Sequence, residues 1–458
     1  FISQIVPRKN EIATHHLINL FFSFTTILGI TKISKFFFNR EVSKIVFFIL
    51  FLNPIFFGHM SINTKDTIIV FSNVWATYFL IRYLQTQSLE IKRKHFSTLA
   101  GIAIGFGVGT RVISLVTFIP IFILIFIDIF VLKIIRDKKF IIANFFKDLL
   151  KIFFIVYFIV IIFWPNVHSN IFILPYKFFL ESLTDTSYGV SWGLLNGDIY
   201  RTINTPRSYL LLNLFYKLPE YLLFTYIIFI YLLFRDQKFF EIHFHLFRSK
   251  ILYLIFIILF PIFVTFITAI KITDGLRYFL FLIPYLSIIP GLTIYYLIYN
   301  SKFLLNKILT ILILIPFLFF LSNFFSLTPY HYTYLNIFNG DFSNASERFE
   351  NDYWGTSIKE LINKMKISKV FIPDKNYKIA FCGINHDIAV FYLRKINNLV
   401  FTKISNNEDY HFIIMTNRIN GKNEDKITEV KSCFDLYKGV DILSVKRNGL
   451  ILSTIRKK

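Results

Sequence analysis

Phe57-Gly58-His59-Met60-Ser61-Ile62-Asn63-Thr64-Lys65-Asp66-Thr67 separates two strongly apolar runs, Ile45–Phe56 and Ile68–Leu84. A Lys-Asp pair beside runs of that kind is costly inside a bilayer, roughly 2.5–3.5 kcal/mol per charge. The pair therefore belongs at a water boundary or at a working site. Apolar runs follow at intervals along most of the chain: Ala13–Ile33, Ile45–Phe57, Thr67–Leu84, Leu99–Phe118, Ile119–Leu132, Leu149–Trp164, Tyr221–Phe234, Ile251–Ile270, Tyr278–Tyr299 and Ile308–Phe325. A helix needs about 20 such residues to cross the roughly 30 Å of hydrocarbon. The fold class expected is an all-α polytopic membrane core of about ten spans with a small C-terminal α/β extracytoplasmic domain.

Composition agrees. Of 458 residues 55% are hydrophobic and 19% aromatic, with 59 Phe and 17 Gly. Soluble domains average about 45–50% apolar. The net charge of +22 would suit nucleic acid, but its placement excludes that partner. Lys and Arg gather in short segments between apolar runs, at Arg40/Lys44, Lys92-Arg93-Lys94, Lys133/Arg136/Lys138/Lys139, Arg235/Lys238/Arg248/Lys250 and Lys302/Lys307. Cytoplasmic loops facing anionic membrane lipids have this bias. Ten alternating spans put all five clusters on one side, provided Leu99–Phe118 and Ile119–Leu132 are two spans joined at Pro120. The segment Gly58–Asp66, the loop 165–219, Lys271–Arg277 and the C-terminal tail then lie outside.

Three outer features carry candidate chemistry. Trp192, several Tyr, Asp185, Asp198, Arg201 and Arg207 fall in the loop 165–219, which reads as an interfacial aromatic belt or as amphipathic helices closing over a lipid. Asp274-Gly275 is a turn signal before Arg277, and an Arg at a span end either snorkels or binds substrate. Arg111 follows glycines at 101, 105 and 109, a stripe suited to close helix packing. It reads equally as a phosphate ligand or as an ion pair locking two helices. Asp128, near Lys133, reads as an ion-pair partner only.

Hydropathy falls from Pro329 onward. Helical Thr356–Met365 and Asp387–Ile396 alternate with strand-like Lys369–Ile372, Tyr377–Cys382, Phe412–Met415 and Val440–Thr454. Two domains are expected, 1–328 in the membrane and 329–458 outside. Cys382 and Cys433, the two cysteines of the chain, fit a disulfide or two buried thiols. No Cys/His spacing suits a structural metal, and no phosphate loop, dinucleotide fingerprint or nucleophile elbow is present.

Several stretches together resemble bacterial members of the protein O-mannosyltransferase-like group, membrane glycosyltransferases of the C-type fold. They are Phe57-Gly58-His59 with Asn63-Thr64-Lys65-Asp66, Gly109-Thr110-Arg111, Asp274 through Phe281, Tyr330 through Asn336, and Asp352-Tyr353-Trp354-Gly355-Thr356-Ser357. The resemblance implies inverting transfer of a hexosyl or pentosyl group from a polyprenyl-phosphate sugar donor to a lipid, glycan or protein acceptor, outside a bacterial inner membrane and among its lipids. It implies catalytic roles for Asp66 and Lys65 and substrate binding by His59, Asn63, Arg111, Asp274 and Arg277. It allows a divalent metal ion as cofactor, with no metal-ligating residue assignable here. The first outer loop of that group supplies a principal acid and would fall at or before residue 1, so the chain reads as N-terminally incomplete, with Glu11 no replacement. A secondary transporter or lipid flippase is the alternative from another class, weakened by the lack of an internal repeat.

Overall fold

The structure, a computed structural model, describes residues 7, 10–184, 191–268, 271–300, 304–372, 375–394, 396, 398–402, 410–421 and 430–458. It is mostly helical and divides into two compact units. One comprises residues 1–188, 221–264 and 277–316, and the other residues 189–220, 265–276 and 317–458.

The first unit begins with helices α1 Glu11–Phe37, α2 Arg40–Phe51, α3 Pro54–His59, α4 Asp66–Gln85, α5 Glu90–Thr110, α6 Leu115–Ile127 and α7 Ile142–Phe163. Local sequence explains their starts. Asn39 Oδ1 accepts from the Val42 N–H at 2.8 Å and caps α2. Asn53 does the same for α3 through Phe56 N–H, with Pro54 at the first helical position where a missing donor costs nothing. The glycine stripe of α5 meets α7. A Cβ on Gly101 would stand 3.2 Å from Ile155, and one on Gly105 would stand 2.7 Å from Ile159. Only glycine lets these backbones approach so closely.

Each of the ten apolar runs is helical, at least in part. Among the described residues six helices are long and apolar enough by themselves to cross a membrane: Glu11–Phe37, Asp66–Gln85, Val112–Leu132, Phe247–Ile267, Arg277–Tyr299 and Leu304–Ser326. The protein is a multi-pass membrane protein. The other runs lie on shorter or more charged helices, such as the 12-residue α2 and the α7 that carries Lys147, Asp148 and Lys151.

Two expectations are corrected here. The break expected at Pro120 lies instead at Arg111, whose backbone is extended (φ −159°, ψ 119°) between α5 and a 3₁₀ turn, Val112–Ser114. Pro120 sits inside α6. It forfeits one backbone bond near the helix start, whereas Arg111, extended at the end of α5, reaches a buried carboxylate described below with its side chain. Trp164 Nε1 donates to the Gly109 carbonyl at 2.8 Å and satisfies one of the exposed carbonyls at the α5 terminus. Asp128, expected to pair with Lys133, accepts from the backbone N–H groups of Ile134, Ile135 and Arg136 and from Tyr253 Oη. It closes a turn rather than neutralising a lysine.

The second unit holds a hairpin of β1 Trp192–Leu195 and β2 Asp198–Arg201, turning at Asn196-Gly197, and the helix Tyr209–Lys217. Part of the loop 165–219 is therefore regular structure. Strands β3 Tyr377–Cys382, β4 Leu399–Phe401, β5 Phe412–Thr416, β6 Ile419–Gly421, β7 Val430–Ser432, β8 Val440–Arg447 and β9 Leu450–Lys457 follow. Five form a mixed sheet in the order β4-β3-β5-β9-β8, parallel across β4-β3-β5 and antiparallel across β5-β9-β8. Asn448-Gly449, both at positive φ, makes the β8–β9 turn. The helices Ile358–Ile367 and His386–Leu393 fall where expected. Lys369–Ile372 is not a strand, because Lys369 turns left-handed (φ 48°) after the preceding helix. Cys382 and Cys433 form a disulfide.

Candidate functional site

Asn63 builds the start of α4. Its Oδ1 accepts from the Asp66 N–H at 2.9 Å, and its main-chain carbonyl accepts from the Thr67 hydroxyl. With its own Nδ2 it donates to Asp66 Oδ2 at 3.0 Å, and that same nitrogen lies 3.4 Å from His59 Nδ1. Both side chains are fully buried. Asp66 is thus oriented from the inside by a short polar chain running back to α3.

Two arginines converge on Asp66 from elsewhere in the same unit. Arg111 Nη1 lies 3.3 Å from Oδ1, and Arg277 Nε lies 3.4 Å from Oδ2. Asp66 is only 5% exposed, while the two arginine side chains keep 28% and 17% of their surface open. The Tyr278 ring lies beneath both guanidinium groups, 5.1 Å from that of Arg111 and 4.4 Å from that of Arg277. A face of this kind attracts cations and keeps two like charges together. Two guanidinium groups thus share one buried carboxylate, and both side chains keep part of their surface open.

The structure thus brings His59, Asn63, Asp66, Arg111 and Arg277 together. Lys65 lies next to Asp66 at the helix start, exposed and without an ion pair among the described residues. Asp274 belongs to the second unit. There its carboxylate pairs with Arg418 at 2.9 Å, and Asp274-Gly275 turns with φ +63° at both residues. Tyr278 went unrecognised in the sequence. Its place beside Arg277 was the available signal.

Other residues of the expected pattern are structural. Asp352 accepts from the N–H groups of Thr356 and Ser357 and from Tyr332 Oη, and so ties the turn that leads into the helix Ile358–Ile367. Glu220 likewise takes Tyr334 Oη at 2.6 Å. No group of three His, Cys, Asp or Glu side chains stands in metal-holding proximity among the described residues. Both oxygens of Asp66 already face arginines, so this donor set does not fit a divalent ion.

Comparison with known proteins adds three findings. Residues 8–164 match the family model described as dolichyl-phosphate-mannose-protein mannosyltransferase. Over that stretch, which includes Asn63, Asp66 and Arg111, the chain is protein-mannosyltransferase-like, as its motifs indicated. No curated protein sequence matches it. Two crystal structures of ArnT from Cupriavidus metallidurans are similar. The one bound to undecaprenyl phosphate is 11% identical, covers 96% of this chain and 83% of that chain, and has a TM-score of 0.47. The apo form is 12% identical, with 97% and 82% covered and a TM-score of 0.45.

Proposed function

We propose, taking the protein-mannosyltransferase likeness of residues 8–164 as the premise, that the chain is an integral-membrane glycosyltransferase. It moves a sugar from a polyprenyl-phosphate donor to an acceptor on the outer side of a bacterial inner membrane. Residues 1–328 form the transferase domain and 329–458 an extracytoplasmic domain. The observation that carries this reading is the convergence of Arg111 and Arg277 on one buried carboxylate at the head of α4.

The chemistry follows from that geometry. A sugar phosphodiester needs its leaving phosphate stabilised as charge develops, and preorganised arginines supply that without reorganisation. As placed, Asp66 is a poor base, because cations and Asn63 occupy its oxygens. A donor phosphate that takes the guanidinium groups releases the carboxylate. Asp66 then accepts the proton of the acceptor hydroxyl as that oxygen attacks the anomeric carbon, and the polyprenyl phosphate departs on the arginines. Lys65, exposed beside it, lowers the energy of the incoming anion, and His59 and Asn63 hold Asp66 in line. No step here runs through a metal.

The test is transfer from defined polyprenyl-phosphate sugars by membranes containing the protein, with Asp66→Asn as control. Sugar-dependent release of polyprenyl phosphate by the wild type alone is expected. Movement of intact donor across vesicles without cleavage would overturn the reading.

A further inference from the structure

Asp66, Arg111 and Arg277 reach one point from three segments far apart in sequence, and two of those segments are irregular there. Arg111 is extended and leads into the 3₁₀ turn Val112–Ser114, and Arg277 opens the 3₁₀ stretch Arg277–Leu282. Short 3₁₀ pieces have poorer hydrogen-bond geometry than an α-helix and locate a side chain less firmly. Each passes at once into α-helix, at Leu115 and at Ile283. The third residues of those two helices, Thr117 and Tyr285, bond to one and the same side chain of α4, Asn73.

Asn73 lies two turns beyond Asp66, on the same face of α4. Its Nδ2 donates to the Thr117 carbonyl at 3.0 Å, with the Thr117 hydroxyl 3.2 Å away, and its Oδ1 accepts from Tyr285 Oη at 2.8 Å. Thr77, one turn further on, stands 2.8 Å from the same phenol and donates to the Asn73 carbonyl. Asn73 and Tyr285 are each 1% exposed. An amide both donates and accepts from one fork. Aspartate would turn a lone pair toward the Thr117 carbonyl, and leucine would bond neither neighbour. The residues next along the chain, Val74, Phe118 and Leu286, are buried and apolar. Apolar contact holds helices together but is non-directional. Hydrogen bonds, limited in length and angle, fix how far the three segments slide past one another.

We propose that Asn73 and Tyr285 are positioning residues of the transfer reaction, which fix the spacing of Asp66 from Arg111 and Arg277 through one buried amide. The inference rests on the transferase reading of that site. The partly open arginine side chains can follow the donor phosphate. Asp66, buried at the head of α4, cannot adjust its approach to the acceptor hydroxyl. Misplacing such a group by about 1 Å costs on the order of a hundredfold in rate. The clamp therefore acts on turnover more than on donor binding.

Membranes containing the full chain are supplied with undecaprenyl-phosphate-linked hexoses and pentoses, and release of undecaprenyl phosphate per mole of protein is followed against donor concentration. Wild type, Tyr285→Phe and the double variant Asn73→Leu/Tyr285→Phe are compared, with unfolding midpoints of the purified proteins in detergent. Tyr285→Phe strands the Asn73 oxygen in apolar surroundings and should lower the midpoint. The double variant removes that oxygen as well and should recover it. Positioning predicts that kcat nevertheless stays at least about tenfold below wild type in the double variant, with KM for the donor changed by less than about threefold. A kcat that recovers along with the midpoint marks the network as structural only, and overturns the proposal while leaving the transferase reading intact. If the double variant does not fold, Tyr285→Phe decides alone, because it keeps the ring. A tenfold loss of kcat well below its midpoint, on the same scale of about tenfold, supports the proposal, and wild-type kcat overturns it. A wild type that releases no undecaprenyl phosphate overturns the transferase reading and this proposal with it.

Discussion

Replacing Asp66 with Asn changes one atom and removes the charge on which two arginines converge. Removing one partner of a fully buried ion pair costs about 3–5 kcal/mol, because the other charge is stranded. The arginines here are 28% and 17% exposed, so water repays part of that loss, and about 2–3 kcal/mol is the expectation. This exceeds the loss of a helix cap, about 0.5–2 kcal/mol. The Asn63 hydrogen bond to Oδ2 at 3.0 Å survives in Asn only if the new amide turns its oxygen inward. Two assays separate the contributions. Thermal unfolding in detergent should fall, while transfer should be lost even at temperatures where the variant is folded. Asp66→Glu should restore stability in part and transfer little, since the longer side chain displaces the carboxylate from both guanidinium groups. A variant Asp66→Asn with wild-type stability and wild-type transfer would refute both the ion-pair energetics and the catalytic role.

Gly105→Leu should lower stability by about 1–3 kcal/mol by overpacking α5 against α7, since even a Cβ would stand 2.7 Å from Ile159; Ile159→Ala in the same chain should recover part of the melting temperature. Burial raises the folded-state Glu350 carboxyl from 4.5 to about 7, opposed by Arg418, Ile419 N–H and Lys217 and reinforced by Asp274. Its contribution to stability is therefore fully present below about pH 4.5 and lost as pH rises to about 7. At about 1.36 kcal/mol per pH interval of one the difference over that range is a little over about 3 kcal/mol. Unfolding midpoints of wild type and Glu350→Gln across that range should diverge, the wild type falling more steeply with pH. A reporter fused after Lys458 should be active only outside the cytoplasm, and cytoplasmic activity would reverse the placement of the C-terminal domain.

The membrane core was legible because apolar length is a strong signal, and the ten runs reappear as helices. The break at Arg111 was not. A proline advertises a break in the sequence, but Pro120 forfeits a single bond, whereas the side chain at the real break, Arg111, meets Asp66, 45 residues earlier. Long-range electrostatics of that kind leave no local pattern. Arg277 and Asp66 could be singled out as isolated charges at span ends, yet their pairing depended on the fold. Tyr278 was hidden among many aromatics whose abundance blunts any single one. Asp128 shows the limit of charge pairing by proximity, because a nearby lysine lost to three backbone N–H groups.

The central claim is that Arg111 and Arg277 together hold the phosphate of a polyprenyl lipid. Retention of polyprenyl phosphate by the purified protein, measured by native mass spectrometry for wild type, Arg111→Lys and Arg277→Lys, tests it most directly. Each lysine keeps the charge but loses the planar fork. The account predicts bound lipid in the wild type and a loss of at least about tenfold in affinity in either variant, the equivalent of about 1.4 kcal/mol. Equal retention by all three proteins would contradict it.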